Sequence, residues 1–289
     1  MFYKKKRTIK IIYILCYFTF IWCQCDFNED TNLDILDITG MVNCILEGCY
    51  DGSQCDPVED GSLDVLDIII TVNCILDECW QACIDIDGNI YETVHIGDQL
   101  WMAENLKVTH YRNGDNIQYI LNDNDWCCEE IGKYGLYDNI PENVDTYGYL
   151  YNWYAIDMET GICPEGWHVP TDDELQELEI SIGMDPEEAN STGWRGIDEG
   201  GKMKLSGFEY WWEPNTGATN ESGFSAIPGG YRFSNTGEFN LMGSYAYLWV
   251  SSDLGASNAY ARYLSYEYAT IYRNVTNKQF GFSIRCISD

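Results

Sequence analysis

Two stretches near the start of the chain place apolar residues at helical spacing. They run over residues 35–46 and 65–76, and their apolar side chains recur at positions i, i+3, i+4 and i+7. Each stretch follows an acidic segment rich in Asp and Asn, so the order is loop then helix, twice. The second copy repeats the same order of Cys, Asp, Leu, Ile, Val and Asn, and this predicts a duplicated unit.

The pattern changes after Cys83, where Gly, Asn, Tyr and Trp become frequent and the apolar runs become short and alternating. This composition predicts short strands joined by long loops, with a domain boundary near Ile84. Two hairpins are predicted, one over residues 84–91 around an Asp-Gly turn and one over residues 93–102 around a Gly-Asp turn.

One clear helix is predicted in this second part of the chain. Thr171 follows Pro170 directly, and Thr171 and Glu174 have the spacing of a capping box. An apolar stripe continues from there at helical spacing until Gly183, which is a typical residue for a helix end.

The two acidic segments offer oxygen ligands at the positions that a calcium loop uses. In a loop of about twelve residues, positions 1, 3, 5, 7, 9 and 12 supply the oxygens. The first segment has an oxygen-bearing residue at each of them, whereas Val58 leaves one position of the second segment without a ligand. The alternative is that both segments are acidic turns that cap amphipathic helices. We predict calcium as the cofactor, bound by Asp26, Asn28, Asp30, Asn32, Asp34 and Asp37 and by Asp56, Asp60, Ser62, Asp64 and Asp67.

No helix-forming segment precedes either loop, so the unit is half of an EF-hand, duplicated. In this it resembles the dockerin module, and the resemblance covers residues 25–83. The resemblance implies a small all-α module of paired loop-helix, EF-hand-like repeats that binds calcium and docks onto a cohesin-like receptor. Dockerins of the best-known type carry Ser-Thr before the last ligand, where this chain has Ile35-Leu36 and Val65-Leu66. A protein receptor other than a cohesin is therefore the alternative partner.

The first residues have the layout of a secretory signal peptide. Basic residues 4–7 precede an apolar run over residues 9–23, which is shorter than the roughly 20 residues that a bilayer span needs. We predict a signal peptide over residues 1–23, a secreted protein outside the cell or at its surface, and no stable membrane span in the mature chain. The alternatives are an uncleaved anchor and lipid attachment at Cys23.

Charge and cysteine content agree with export. The net charge of −31 repels phosphate, which argues against nucleic acid as a partner and suits a protein that binds cations. Thirteen cysteines predict disulfides in an exported chain, and removal of the signal peptide leaves an odd number, so one thiol is free or intermolecular. Zinc is the rival explanation, but histidine is rare and paired Cys-x-x-Cys motifs are absent.

The second part of the chain carries an ordered series of Gly and aromatic motifs. It comprises Cys163 to Pro170, Trp194, Gly200 to Lys202, Trp211-Trp212, residues 215–224, Pro228 to Arg232, Trp249 to Ser252, Tyr260 to Leu264 and Gly281 to Cys286. The series resembles the Fibrobacter succinogenes major paralogous domain family over residues 84–289. It also resembles the C-type-lectin-like and formylglycine-generating-enzyme-like folds. The resemblance implies a C-type-lectin-like α+β domain with short strands and long loops, and a disulfide between Cys163 and Cys286.

The sequence offers little that predicts catalysis. None of the three histidines, His95, His110 and His168, lies in a recognisable nucleophile motif. The adjacent Cys127-Cys128 suggests a redox or copper site as in formylglycine-generating enzymes, but the chain lacks their C-terminal cysteine pair. Glu213-Pro214-Asn215 matches the sugar-selecting triplet of C-type lectins, without their later Trp-Asn-Asp.

Aromatic residues are the remaining candidates for recognition, since the chain has 22 tyrosines and 10 tryptophans. Clusters over residues 245–249 and 260–268 could leave a rim exposed for stacking on a glycan. We predict a secreted, non-enzymatic, calcium-binding protein in which a dockerin-like module serves protein assembly and a lectin-like domain serves recognition. The alternatives are a carbohydrate-binding protein of a polysaccharide-degrading system and an enzyme on a formylglycine-generating-enzyme-like scaffold.

Overall fold

The computed structural model describes residues 35–47, 68 and 83–289. The chain divides into two units, residues 1–81 and 82–289. In the first unit, helix α1 runs over Ile35–Glu47 and buries Ile38, Met41 and Cys44, which lie three residues apart and so share one face. Cys44 is disulfide-bonded. None of the described helices has both the length and the apolar character to cross a bilayer.

The second unit is built from short strands and even shorter helices. Its strands are β1 (Cys83–Ile84), β2 (Ile90–Tyr91), β3 (Thr93–Ile96), β4 (Gln99–Met102), β5 (Gln118–Tyr119), β6 (Lys133–Gly135), β7 (Leu150–Tyr151), β8 (Trp167–His168), β9 (Gly193–Arg195), β10 (Gly229–Arg232), β11 (Phe239–Met242), β12 (Tyr245–Asp253), β13 (Asn258–Ser265), β14 (Ile271–Asn277) and β15 (Ile287–Ser288). Its α-helices are α2 (Val144–Tyr147), α3 (Asp172–Ser181), α4 (Pro186–Ala189) and α5 (Glu199–Met203), and 3-10 turns lie at Asp123–Asp125, Tyr137–Asn139, Pro141–Asn143 and Trp153–Ala155.

The described strands form four sheets. The largest has six strands in the order β11-β10-β12-β13-β14-β9, and the others are β3-β4-β15-β8, β5-β6-β7 and β1-β2. The pairings are antiparallel except for β10 with β12 and β5 with β6, which are parallel. Both predicted hairpins are confirmed, since β1 pairs with β2 and β3 pairs with β4 in antiparallel register.

The predicted fold class is wrong. We expected a small all-α, dockerin-like module followed by a C-type-lectin-like α+β domain, whereas the described residues fold mostly as β-sheet with a few short helices. Outside α1, the described α-helices have between four and ten residues. Helices of that length cannot form a layer that balances a six-stranded sheet. No all-α module is seen in the part of the chain that the structure describes.

The six-stranded sheet separates two hydrophobic cores. Along β12, Tyr247 and Trp249 belong to one core, whereas Ala246, Leu248 and Val250 belong to the other. This follows from the pleat, because successive side chains of a strand point to opposite faces. The second core also contains the buried apolar residues of α3, so that helix covers one face of the sheet.

Helix α3 begins where the sequence predicts. The Thr171 hydroxyl accepts a hydrogen bond from the backbone N–H of Glu174, and the Glu174 carboxylate accepts one from the backbone N–H of Thr171 at 2.7 Å. The predicted capping box is therefore confirmed. Leu175 and Leu178 are buried on the side that faces the sheet.

Candidate functional site

One aromatic ring from each of five adjacent strands lies on the same face of the six-stranded sheet. The five are Trp194 on β9, Tyr272 on β14, Tyr263 on β13, Tyr247 on β12 and Tyr231 on β10. The first four are successive cross-strand partners in the strand register. We call these five residues the aromatic ladder.

Neighbouring rings of the ladder are in contact along its whole length. The ring centroids of Trp194 and Tyr272 lie 5.0 Å apart, and those of Tyr272 and Tyr263 lie 5.5 Å apart. Tyr263 and Tyr247 are separated by 4.5 Å, and Tyr247 and Tyr231 by 5.1 Å. Because neighbouring strands are spaced by about 4.8 Å, the five rings form a line roughly 19 Å long.

The ladder is open at the Trp194 end and buried at Tyr247. Trp194 is 39% exposed, and Tyr268, which is 45% exposed, lies beside it with a centroid separation of 4.6 Å. The two tyrosines that follow Trp194 along the ladder are half-buried. Tyr247 is only 9% exposed, because Phe282 stacks on it at 5.0 Å. A ligand can therefore reach the rings from the Trp194 end.

Polar side chains lie next to the open rings. The Asn274 side-chain amide donates a hydrogen bond to the Tyr263 hydroxyl at 2.8 Å, and Thr276 also hydrogen-bonds that hydroxyl. Burial raises the pKa of Tyr263 above its ordinary value, although these hydrogen bonds lower it. The phenol therefore stays neutral and keeps both donor and acceptor capacity.

A buried ion-pair network lies on the opposite face of the same strands. Glu179 of α3 binds Arg195 with two hydrogen bonds of 2.7 and 2.9 Å and Arg262 with one of 2.7 Å. Asp172, at the start of α3, binds Arg262 at 2.8 Å and Arg273 at 2.5 Å. Burial raises the pKa of the Asp172 carboxyl, but the two guanidinium groups outweigh burial and hold this pKa below its usual value.

The network fixes the strands that carry the open end of the ladder. Arg195, Arg262 and Arg273 are sequence neighbours of Trp194, Tyr263 and Tyr272, respectively. The pleat places each guanidinium on the face opposite to its aromatic neighbour. Helix α3 thus anchors β9, β13 and β14 from behind, and the rings in front keep their alignment.

Tyr268 lies in the turn between β13 and β14, and a buried lysine holds this turn. The Lys204 ammonium donates to the carbonyl oxygens of Thr216, Ser265 and Tyr268 at 2.8 to 2.9 Å. Burial lowers the pKa of Lys204 to about 8. Because Ser265 ends β13 and Tyr268 lies within the turn, the lysine restrains the residue that extends the open end of the ladder.

Most of the predicted calcium ligands lie outside the described residues. They are Asp26, Asn28, Asp30, Asn32, Asp34, Asp56, Asp60, Ser62, Asp64 and Asp67. Asp37 is described, and its side chain is buried in the first turn of α1. Within residues 35–47, 68 and 83–289, no three His, Cys, Asp or Glu side chains are grouped so that they could hold a metal ion.

The cysteines of the second unit are mainly oxidised. Cys163 and Cys286, the pair that the family resemblance implied, form a disulfide with an S–S distance of 2.00 Å. Cys127 and Cys128 are also joined to each other. Cys83 is a free thiol, but it is buried, and burial together with the Asp85 charge raises its pKa. Among the described residues, none of these cysteines offers a thiolate nucleophile in this state.

Two other sequence candidates have structural partners. The Asn215 amide of the lectin-like triplet is buried and donates to the carbonyl oxygens of Leu205 and Gly207, so it binds the fold itself. His168 bridges two carboxylates, those of Glu174 at 2.9 Å and Asp289 at 2.6 Å. This bridge connects β8 with α3 and the C-terminus.

Some members of the two predicted aromatic clusters belong to the ladder, and others do not. Tyr247, Tyr263 and the neighbouring Tyr268 came from those clusters, whereas Tyr260 packs on the other face beneath the Arg273 guanidinium at 4.4 Å. The predicted clusters do not include Trp194 and Tyr272. The signal that could have found them is an aromatic residue directly followed by Arg, which occurs at Trp194-Arg195 and again at Tyr272-Arg273.

The model of one protein family matches residues 94–288, and its description is the Fibrobacter succinogenes major domain. The chain belongs to this family. The family resemblance inferred from the motif series is thus confirmed, and the whole aromatic ladder lies within the Fibrobacter succinogenes major domain. No curated protein and no solved structure matches the chain.

Proposed function

We propose that the Fibrobacter succinogenes major domain of this protein binds carbohydrate on the open end of the aromatic ladder. The observation that carries the proposal is the unbroken line of five rings, which is accessible at Trp194 and Tyr268. A pyranose ring has an apolar C–H face that packs on aromatic rings, and its hydroxyl groups need polar partners at the edge. The hydroxyl of Tyr263 and the amide of Asn274 are such partners.

The shape of the surface favours a chain over a single sugar. A line of rings across a sheet is a shelf and not an enclosed pocket, so a short ligand would bury little area. An extended, flat chain of β-linked sugars can contact the exposed rings of Trp194 and Tyr268 and the half-buried ring of Tyr272 in succession. The ligand class is therefore a polysaccharide.

Affinity electrophoresis in gels that contain hydroxyethylcellulose tests the proposal. A Trp side chain offers about 250 Å² of surface, so the 39% exposure of Trp194 leaves roughly 100 Å², worth about 2.4 kcal/mol at about 25 cal/mol per Å². If the ligand covers half of that area, Trp194→Ala weakens retention about tenfold. Trp212→Ala is the matched control, because Trp212 is 57% exposed and lies off the ladder.

The outcome distinguishes binding at the ladder from non-specific binding to exposed aromatic residues. The proposal expects the parent and Trp212→Ala to be retarded alike, and Trp194→Ala to be retained about tenfold more weakly. Equal losses in both variants, or a parent that the polymer does not retard, would contradict it. Thermal melting of all three proteins checks that both variants remain folded.

This binding takes place outside the cell and without catalysis, and the dockerin resemblance of residues 25–83 supports a place in a system that degrades polysaccharides. The signal-peptide layout of residues 1–23 supports export, and the absence of a nucleophile motif around the three histidines supports a binding role. An enzyme on the same scaffold is the less favoured alternative. Release of reducing sugars from the retarding polymer would support that alternative.

A second proposed function is calcium binding by the acidic repeats, through which the chain docks onto a protein receptor. The duplicated arrangement of oxygen-bearing residues supports it. Calorimetric titration of calcium into the mature protein should give two sites, and Asp37→Asn and Asp67→Asn should each leave one. A parent that takes up no calcium would refute this proposal and leave the ladder proposal untouched.

A further inference from the structure

The second half of the Fibrobacter succinogenes major domain exposes almost no positive charge. Residues 193–289 contain eight Lys and Arg side chains, and all but Lys202 are buried, namely Arg195, Lys204, Arg232, Arg262, Arg273, Lys278 and Arg285. These residues include all strands of the six-stranded sheet and the turns between them. The strands that carry the ladder therefore present no exposed cation to a ligand.

The cations of these residues are also occupied. Lys202, the exception to burial, pairs with Asp198 at 3.0 Å, and Lys278 pairs with Asp253 at 3.2 Å. Arg285 is bound by the Asn105 side chain at 3.0 Å and by backbone carbonyl oxygens. An anionic ligand would have to displace these internal partners before it could bind.

The charge that remains at the surface is negative. Glu267 is exposed in the turn between β13 and β14, directly before Tyr268, and the protein as a whole carries a net charge of −31. Recognition of a carboxylate or sulfate group uses Arg or Lys donors, and a surface of the same sign repels such groups. The open end of the ladder thus combines apolar rings, neutral hydroxyl and amide groups, and an unfavourable field for anions.

We infer that the ladder selects neutral polysaccharides and excludes polyanionic ones. This inference rests on the proposed function and adds the chemical class of the ligand. The exclusion is electrostatic. An uncharged sugar and an acidic sugar present similar faces to the rings, but the acidic chain is repelled by Glu267 and by the net negative charge of the protein.

The salt dependence follows from this cause. The Debye length is about 30 Å at 0.01 M salt and about 3 Å at 1 M. At low salt the whole negative surface acts on an anionic chain, whereas at high salt only charges in contact act on it. Stacking of a neutral chain involves no charge, so its strength changes little across the same range.

Hydroxyethylcellulose and carboxymethylcellulose test the inference, because they share a backbone and differ in charge. Affinity electrophoresis of the mature protein in each polymer gives two dissociation constants at each salt concentration. We expect hydroxyethylcellulose to bind at least about tenfold more tightly than carboxymethylcellulose at about 0.01 M NaCl. We expect this ratio to fall towards one at about 1 M NaCl, as carboxymethylcellulose binding strengthens. Trp194→Ala should weaken both.

Each other outcome has a distinct meaning. Equal binding of the two polymers at low salt would overturn the inference while the proposed function survives. A preference for the neutral polymer that salt does not change would also overturn it, because the exclusion would then be steric. Retention of neither polymer at any salt concentration would overturn the proposed function and, with it, the inference.

Discussion

Replacing Glu179 by Ala should destabilise the second unit strongly, because one fully buried carboxylate serves two buried guanidinium groups. Glu179 accepts hydrogen bonds of 2.7 and 2.9 Å from Arg195 and one of 2.7 Å from Arg262. In the variant, Arg262 would keep Asp172 as its partner, but Arg195 would lose the carboxylate that pairs with it. A charged group would then remain in the interior without its counter-charge.

The expected cost follows from the burial of this pair. Removing one partner of a buried ion pair costs about 3–5 kcal/mol, since the other charge stays desolvated. Burial already lowers the pKa of Arg195, against the opposing effect of Glu179, so this guanidinium depends on the carboxylate. In a unit of this size each kcal/mol lowers the melting temperature by about 2–4 °C, so a loss of about 4 kcal/mol corresponds to roughly 8–16 °C.

Urea unfolding followed by tryptophan fluorescence measures this loss. Glu179→Gln is the isosteric companion variant, which keeps an acceptor but no charge and should lie between Glu179→Ala and the parent. Glu177→Ala is the matched control, because Glu177 is exposed on the same helix and its removal should change the free energy of unfolding by less than about 0.5 kcal/mol. If Glu179→Ala is as stable as Glu177→Ala, the network does not anchor the sheet and the reasoning fails.

Three further predictions concern stability. Burial lowers the pKa of His168, but its two carboxylate partners outweigh burial and raise it, so the bridge stabilises the fold below about pH 6.5 and loses its effect as pH rises through the folded pKa. His168→Gln should therefore show a weaker loss of urea midpoint from about pH 5 to pH 8 than the parent; identical profiles would contradict this. Lys204→Met leaves three carbonyl oxygens without their donor and should lower the free energy of unfolding by about 2 kcal/mol or more, whereas an unchanged urea midpoint would show that the turn does not need it. The double variant Cys163→Ser with Cys286→Ser opens a crosslink that spans 123 positions and should lose up to about 5 kcal/mol of stability. The loss is measured against the parent under non-reducing conditions, and equal urea midpoints would count against it.

Local features of the fold could be predicted from the sequence. The capping box at Thr171 and the two hairpins around Gly88 and Gly97 depend on residues within a few positions of each other. Both of these glycines adopt positive φ, which is the conformation that such turns require. Signals of this kind are contained in short segments, so no knowledge of the tertiary fold is needed to interpret them.

The fold class could not be predicted, for the opposite reason. Helix signals such as caps are visible locally, whereas twelve of the fifteen described strands have only two to four residues and leave almost no periodic pattern. Strand β15 pairs with both β4 and β8, and β9 pairs with β14, all across long stretches of chain. Local signals therefore predict short strands, but the sheets that these strands form become visible only once the pairing is known.

The aromatic ladder shows the same difficulty at the level of a site. Trp194 and Tyr272 become neighbours through the register of β9 against β14, and Tyr263 joins them through β13. No composition or motif predicts a register between distant strands. The sequence clusters suggested an aromatic rim, but they grouped residues of both faces, as Tyr260 demonstrates.

The aromatic and arginine residues of these strands are best understood together. Trp194-Arg195, Arg262-Tyr263 and Tyr272-Arg273 are neighbouring pairs, so each strand contributes one ring to the front of the sheet and one guanidinium to the back. The back face needs positive charge to bind α3, and burying that charge also removes it from the surface on which the rings lie. A single alternation of residues thus orders the ladder and leaves the front without exposed cations. Glu179 lies on the opposite face, but it holds the arginines of β9 and β13, which carry Trp194 and Tyr263. A change at Glu179 should therefore weaken the proposed glycan retention as well as stability.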